Sequence, residues 1–239
     1  TFSDSSLPGN LHSISGKSRA GLTMIRLTEL ALPLEHPESA LRAAIVERLG
    51  IGDADLTDFV VFKRSYDARK KNSEIKFVYI IDLRARNEDA ILARFEQDQH
   101  VRPAPDTDYH PVAQAPAGLT ERGRDVRRRT KDTWALWRKK QLSPESNVQF
   151  GEGGAGLFSD GKLYSQIKDP KFYGRKVMHE FVRAGAPDEI LYLSKPHIGT
   201  FRLTGVVSAM REEIIRLGGE VRFENKVTDL RIRHGRVEG

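Results

Sequence analysis

Ser146-Asn147-Val148-Gln149-Phe150-Gly151-Glu152-Gly153-Gly154-Ala155-Gly156-Leu157-Phe158-Ser159-Asp160-Gly161-Lys162-Leu163 carries five glycines within eleven residues. Glycine lets a backbone approach a ligand closely and take up positive φ. Successive N–H groups exposed by such turns form a nest for anionic oxygens. The run therefore points to a nucleotide-cofactor protein.

Two nucleotide patterns overlap in it. Gly151-x-Gly153-x-x-Gly156 has the spacing of the dinucleotide fingerprint, which needs a strand before it, a helix starting within it and an acid about 20 residues on. Asn147 to Phe150 is a candidate short strand, but Leu157 to Gly161 is turn chemistry and no second strand arrives on schedule. Gly156-x-x-x-x-Gly161-Lys162 has most of a phosphate loop, with Leu163 where the magnesium-binding Ser or Thr belongs. A purely structural glycine loop is one reading that remains. The favoured one is a loop closing over a cofactor bound mainly elsewhere.

Composition sets the outer bounds. The chain has 239 residues, 38% hydrophobic and 30% charged, with a net charge of +6. That is enough chain for one large or two small domains with real cores. No apolar run approaches the roughly 20 residues of a membrane span. There is no cysteine, which removes disulfides and thiolate metal sites and fits a cytoplasmic protein. The positive charge suits acidic ligands or polyanions. The chain opens on Thr1 and its first methionine is Met24. Residues 1–23 read as a disordered leader. Within them Leu11 to Ser18 ends like a phosphate loop but has Leu11 where glycine is required. Val227 to Gly239 stops inside an apparent hairpin, so the chain reads as a fragment.

Residues 24–100 predict a small α+β domain. Ile25 to Leu32 reads as a strand, and a helix starting at His36-Pro37-Glu38 places Leu41, Ala44, Ile45 and Leu49 at helical spacing before Gly50. Phe59 to Phe62 and Ile75 to Leu83 read as strands flanking the basic run Lys63–Lys71, and Glu88 to Gln97 as a second helix. The order βαββα suggests a ferredoxin-like sandwich. Residues 101–123 read as a linker, broken by Pro103, Pro105, Pro111 and Pro116.

Residues 124–239 predict helices over Arg124–Gln141, Phe172–Arg183 and Gly205–Leu217, the last capped by Thr204, and strands over Glu220–Phe223 and Lys226–Ile232. In the first helix Val126, Thr130, Trp134 and Trp137 share a face, amid Arg127, Arg128, Arg129, Lys131, Lys139 and Lys140. The favoured reading packs both tryptophans inward beneath a solvated basic face. The alternative is a polyanion surface for nucleic acid or an acidic partner. The Lys63–Lys71 run allows the same pair of readings. The histidines form no metal spacing, and neither a Ser/His/Asp set nor a carboxylate pair can be defended.

Thr130-Lys131-Asp132-Thr133-Trp134, the Gly151–Gly156 loop, Phe158-Ser159-Asp160-Gly161-Lys162-Leu163 and Lys195-Pro196-His197-Ile198-Gly199-Thr200 together resemble a family of bacterial FAD-dependent dehydrogenases over residues 24–239. The resemblance implies an α/β fold: an FAD/NAD(P)-binding domain of two-dinucleotide-fold type behind the ferredoxin-like domain. It implies FAD as cofactor, NAD(P)H as candidate electron partner, and hydride transfer on an unassigned substrate. It assigns Gly151, Glu152, Gly153, Gly154, Ala155, Gly156, Ser159, Asp160, Gly161 and Lys162 to the cofactor. Gly153, Gly154 and Gly156 would allow close approach, and Ser159 and Lys162 would bond phosphate or flavin. Val227, just inside a late strand, would touch adenine through its backbone, and His197 is a candidate polar group near the flavin.

The sequence departs from that family in one respect. Members carry a strand–GxGxxG–helix–strand unit before the basic helix, its second strand ending in an acid, Arg and Gly. Here Leu119-Thr120-Glu121-Arg122 runs straight into Gly123-Arg124-Asp125-Val126. The domain thus reads as incomplete, with Glu121-Arg122-Gly123 as the junction and cofactor binding impaired.

Overall fold

The computed structural model describes residues 24–68, 74–111, 118–159, 161–165 and 167–238. The leader expected over 1–23, the end of the basic run at Arg69–Lys71 and the candidate site residue Asp160 lie outside them. The chain is a mixed α/β protein built around two hydrophobic clusters.

The first half runs β1 (Ile25–Pro33), α1 (Glu38–Leu49), β2 (Leu56–Asp67), β3 (Lys76–Ala85), α2 (Glu88–Arg94) and β4 (Val101–Pro103). Its four strands form one antiparallel sheet in the order β2-β3-β1-β4. Strict alternation along β1 would turn Leu30 outward, because Ile25 and Leu27 already point into the core. A bulge between Leu27 and Leu30, with Glu29 at φ 57°, restores the inward face. Ile25 and Leu27 then lie opposite Leu83 and Ile81, and all four are fully buried. Leu41, Ile45 and Leu49 bring one stripe of α1 onto them. Gly50 ends that helix at φ 58°, donating its N–H back to Glu47.

The second half runs β5 (Gly118–Glu121), α3 (Val126–Lys139), α4 (Tyr173–Arg183), α5 (Thr200–Arg216), β6 (Glu220–Phe223), β7 (Ile232–Arg233) and β8 (Arg236–Val237). β5 and β6 pair in parallel, Gly118 opposite Glu220 and Glu121 opposite Phe223. Val126, Leu157, Ala186, Ile190, Ile198, Leu203 and Val206 form the second core. A short parallel bridge joins the halves: Arg64 N–H donates to Tyr192 O at 2.7 Å, and Ser194 N–H donates to Arg64 O at 3.1 Å. Beside it the guanidiniums of Arg26 and Arg175 lie over the Phe62 ring, 3.7 and 4.5 Å from its centre.

Several expected boundaries are corrected. The 101–123 segment is not all linker: β4 closes the first sheet and β5 starts the second half. Asn147 to Phe150 forms no strand, because its carbonyls face a side chain instead of a neighbouring strand. α5 starts at Thr200 behind Gly199, a turn earlier than the Thr204 cap, and the Thr204 hydroxyl donates to Phe201 O within the helix. Residues 226–231 form no strand; only Ile232–Arg233 and Arg236–Val237 pair, across the His234-Gly235 turn.

Ile45 is fully buried between α1 and the sheet. Ile45→Ala should lower the unfolding free energy by about 2–5 kcal/mol in urea titration. A loss under about 1 kcal/mol would contradict this core.

Candidate cofactor site

The glycine-rich segment is organised by α3, the helix it follows. Asp125 caps that helix, its carboxylate accepting the backbone N–H groups of Arg127 and Arg128. Only Val126, Arg129 and Thr133 of α3 are buried. Arg129 is 1% exposed, and a buried guanidinium must find acceptors. It finds them in the chain that follows. Nε donates to Asn147 O at 2.8 Å, Nη2 to Val148 O at 2.8 Å and Nη1 to Glu152 O at 2.7 Å. The segment leading into the glycine loop is wrapped around one cation. Burial draws the Arg129 pKa down, opposed by the charge of Glu121.

This wrapping dictates two of the glycines. At Gly151, φ 115°, a β-carbon would lie 2.5 Å from Arg129 Cδ. At Gly123 it would lie 2.6 Å from both Glu145 O and Gly151 Cα. The turn into α3 and the glycine loop pass each other with no room for a side chain.

Glu152 fastens the other side of the loop. Its carboxylate accepts Val126 N–H at 2.8 Å and Arg211 Nη1 of α5 at 2.7 Å. Its backbone N–H donates to Arg124 O at 3.1 Å. The first turn of α3, the natural place for a bound anion, thus already holds the carboxylates of Asp125 and Glu152. Burial raises the Glu152 pKa, outweighing the Val126 N–H and the Arg211 charge.

The expected site residues consequently divide into two groups. Gly151 and Glu152 are committed to internal contacts, and Gly153, φ 82°, leaves only 2.8 Å between an added β-carbon and Leu157 Cδ1. The N–H groups of Glu152, Gly154 and Ser159 are donated to Arg124, Gly151 and Gly156. The expected nest is corrected here, since those three donors do not face outward. Gly161 is buried against Leu203 and Ile198. The outer rim is different. Gly154 and Gly156 have open space where a side chain would be. Ala155, Ser159 and Lys162 are exposed, and the Ser159 hydroxyl donates to Gly156 O at 3.1 Å. A short 3-10 turn over Gly154–Phe158 presents this rim. Lys162 and His197 lie in an antiparallel bridge, with His197 exposed.

Val227 is 60% exposed in an irregular segment, so its expected place inside a strand is corrected. Its neighbour Lys226 bonds Glu145, which also pairs with Arg122. Glu224 pairs with Arg124 and Arg128. Arg129 itself was classed by sequence with the solvated basic residues. The signal that could have separated it was its spacing from Val126 and Thr133, which puts it on their face. Among the described residues no group of three His, Asp or Glu could hold a metal ion, and no helix is long and apolar enough to cross a membrane.

Arg129→Met should cost about 3–5 kcal/mol in urea unfolding, because three buried carbonyls lose their donor. A loss below about 1 kcal/mol would contradict the wrapped-cation geometry. Glu152 gives a pH signature. A carboxyl whose folded pKa lies above its unfolded one favours folding most at low pH, and that contribution is lost as pH rises through the folded value. The stability of the native protein relative to Glu152→Gln should therefore fall as pH rises above the ordinary glutamate range and through the raised folded value. A constant difference would contradict the raised pKa.

Comparison with known proteins covers both halves of the chain. Residues 24–84, from β1 through most of β3, match the family described as "Domain of unknown function (DUF8436)". A Clostridium beijerinckii (strain ATCC 51743 / NCIMB 8052) protein described as "Uncharacterized protein" is 38% identical over 242 residues, covering 90% of this chain and 45% of that protein. The chain therefore spans about half the length of the relative it matches.

Proposed function

We propose that this chain is part of an FAD-dependent oxidoreductase of bacterial dehydrogenase type, with an incomplete two-dinucleotide-fold domain behind a ferredoxin-like domain. The observation that carries the reading is the parallel pair β5–β6, with β5 turning directly into α3 through Glu121-Arg122-Gly123. A strand that ends in an acid, feeds a helix and has a parallel neighbour has the form of the second strand of a dinucleotide-binding sheet. The sheet order β2-β3-β1-β4 around two helices supports the ferredoxin-like reading of the first half.

The same pair bears on where a missing unit would lie. β5 already ends in the acid, Arg and Gly expected of the second strand, and Gly123 is sterically required in its turn. In this reading the absent strand–glycine turn–helix would precede β5 and not divide Arg122 from Gly123.

The residues present fit one side of an FAD site and not its pyrophosphate anchor. A phosphate at the start of α3 would meet Asp125 and Glu152. The rim of Gly154, Ala155, Gly156, Ser159 and Lys162 offers open backbone, a hydroxyl and an ammonium group. In this reading the rim contacts and orients the cofactor, and Glu121 stands where the ribose hydroxyls would be held. Bound FAD would supply hydride transfer; NAD(P)H is the candidate electron partner. The substrate is a small molecule of unassigned class, and the cytoplasm is the compartment this chemistry suits.

The test is titration of the full chain with FAD, followed by flavin fluorescence. We expect saturable binding with Kd between about 10 µM and 1 mM, weakened at least about tenfold by Lys162→Ala or Gly156→Val. No saturable binding up to about 1 mM, or binding unchanged by both variants, would overturn the proposal.

A further inference from the structure

We infer that the outer face of α3 is a binding surface for single-stranded nucleic acid, independent of the rim assigned to FAD. At about 100° per residue, Arg127, Lys131, Trp134 and Arg138 fall within an arc of about 60°. The buried residues Val126, Arg129 and Thr133 lie about 110° to 170° round the helix from the centre of that arc. The stripe is solvent-exposed, and it runs for about 16 Å at 1.5 Å per residue.

Its chemistry is one-sided. Arg127, Lys131, Arg138, Lys139 and Lys140 are exposed, and none has a carboxylate partner among the described residues. The acids nearby are already engaged elsewhere: Asp125 with Arg128, and Asp132 with Arg124 at 3.0 Å. Asp132 is also turned inward, its side chain only 13% exposed. Long-range repulsion between like charges on one stripe is relieved by a polyanion, which releases counterions as it binds.

The tryptophans narrow the ligand. The expectation that both pack inward is overturned: Trp134 is 54% exposed and Trp137 is 69% exposed. The Arg138 guanidinium stacks on Trp134, 4.3 Å from the ring centre. Thr130, Lys131, Trp134, Ala135, Arg138 and Lys139 line a shallow depression along the helix. An acidic peptide would satisfy the cations and leave two indoles in water. A duplex hides its base faces. A single strand brings phosphates to the cations and unstacked bases to the indoles in one ligand. Apart from the Arg138–Trp134 stack, these side chains make no hydrogen bond or ion pair among the described residues.

The experiment is fluorescence anisotropy of the full chain with a labelled single-stranded RNA of about 12 nucleotides, with indole fluorescence recorded in parallel. We expect salt-sensitive binding and quenching of indole emission. Trp134→Ala should weaken binding by about tenfold to a hundredfold. Arg127→Ala, Lys131→Ala and Arg138→Ala together should flatten the slope of log affinity against log salt by about 2. Circular dichroism checks that these variants fold. The proposal fails if no binding is seen, if the variants bind as well as the native chain, or if quenching is absent. It also fails if duplex or poly-glutamate binds as tightly as the single strand, since that would make the face a general polyanion or acidic-protein surface.

Discussion

One buried guanidinium sets the order of the second half. Arg129 sits inside the protein with no carboxylate in ion-pair contact among the described residues, and three backbone carbonyls from the following chain replace water around its charge. A buried charge left without such partners is costly. The segment from Asn147 to Glu152 must therefore curl around the helix instead of extending as a strand. That curl brings Gly151 over the Arg129 side chain and against Gly123, where neither position can carry a β-carbon. Tight approach of backbone to side chain, and not approach of backbone to a ligand, explains why these two residues are glycine.

The constraint propagates to the site through Glu152. Once Arg129 holds its carbonyl, the Glu152 side chain lies over the start of α3 and meets Arg211 from α5. Loop, helix start and second helix are then joined at one residue. The helix end that would favour a phosphate is filled by the protein's own carboxylates. What remains open is the rim of Gly154, Ala155, Gly156, Ser159 and Lys162, and the outer face of α3. These two surfaces lie on opposite consequences of the same burial: one is where the loop leaves Arg129, the other is the side of the helix Arg129 turns away from the core.

The sequence was readable where local periodicity and burial agree. Leu41, Ile45 and Leu49 announce α1, and the alternation of Ile25 and Leu27 announces β1, because both patterns report a single buried face. It was not readable where a distant partner decides. Nothing near Asn147 says that its carbonyl belongs to a side chain 18 residues earlier. β5 is four residues in a proline-rich setting, and only its pairing with β6, a hundred residues on, makes it a strand. The α3 face was misjudged because tryptophan is usually taken as core and arginine as surface. Here Arg129 is inside and Trp134 outside. The clustering of the candidate site residues is evident from the glycines, but their division into an inner support and an outer rim depends on Arg129 and cannot be seen without it.

The most direct test of this account is amide hydrogen exchange on the full chain, with and without FAD. Residues 147–152 should be slow in both states because Arg129 and α3 hold them. The rim amides of Ala155, Gly156 and Lys162 should be fast alone and become protected when FAD is added. Fast exchange over 147–152 in the free protein would contradict the wrapped-cation loop, and unchanged exchange at those rim amides at saturating FAD would contradict the rim as its contact.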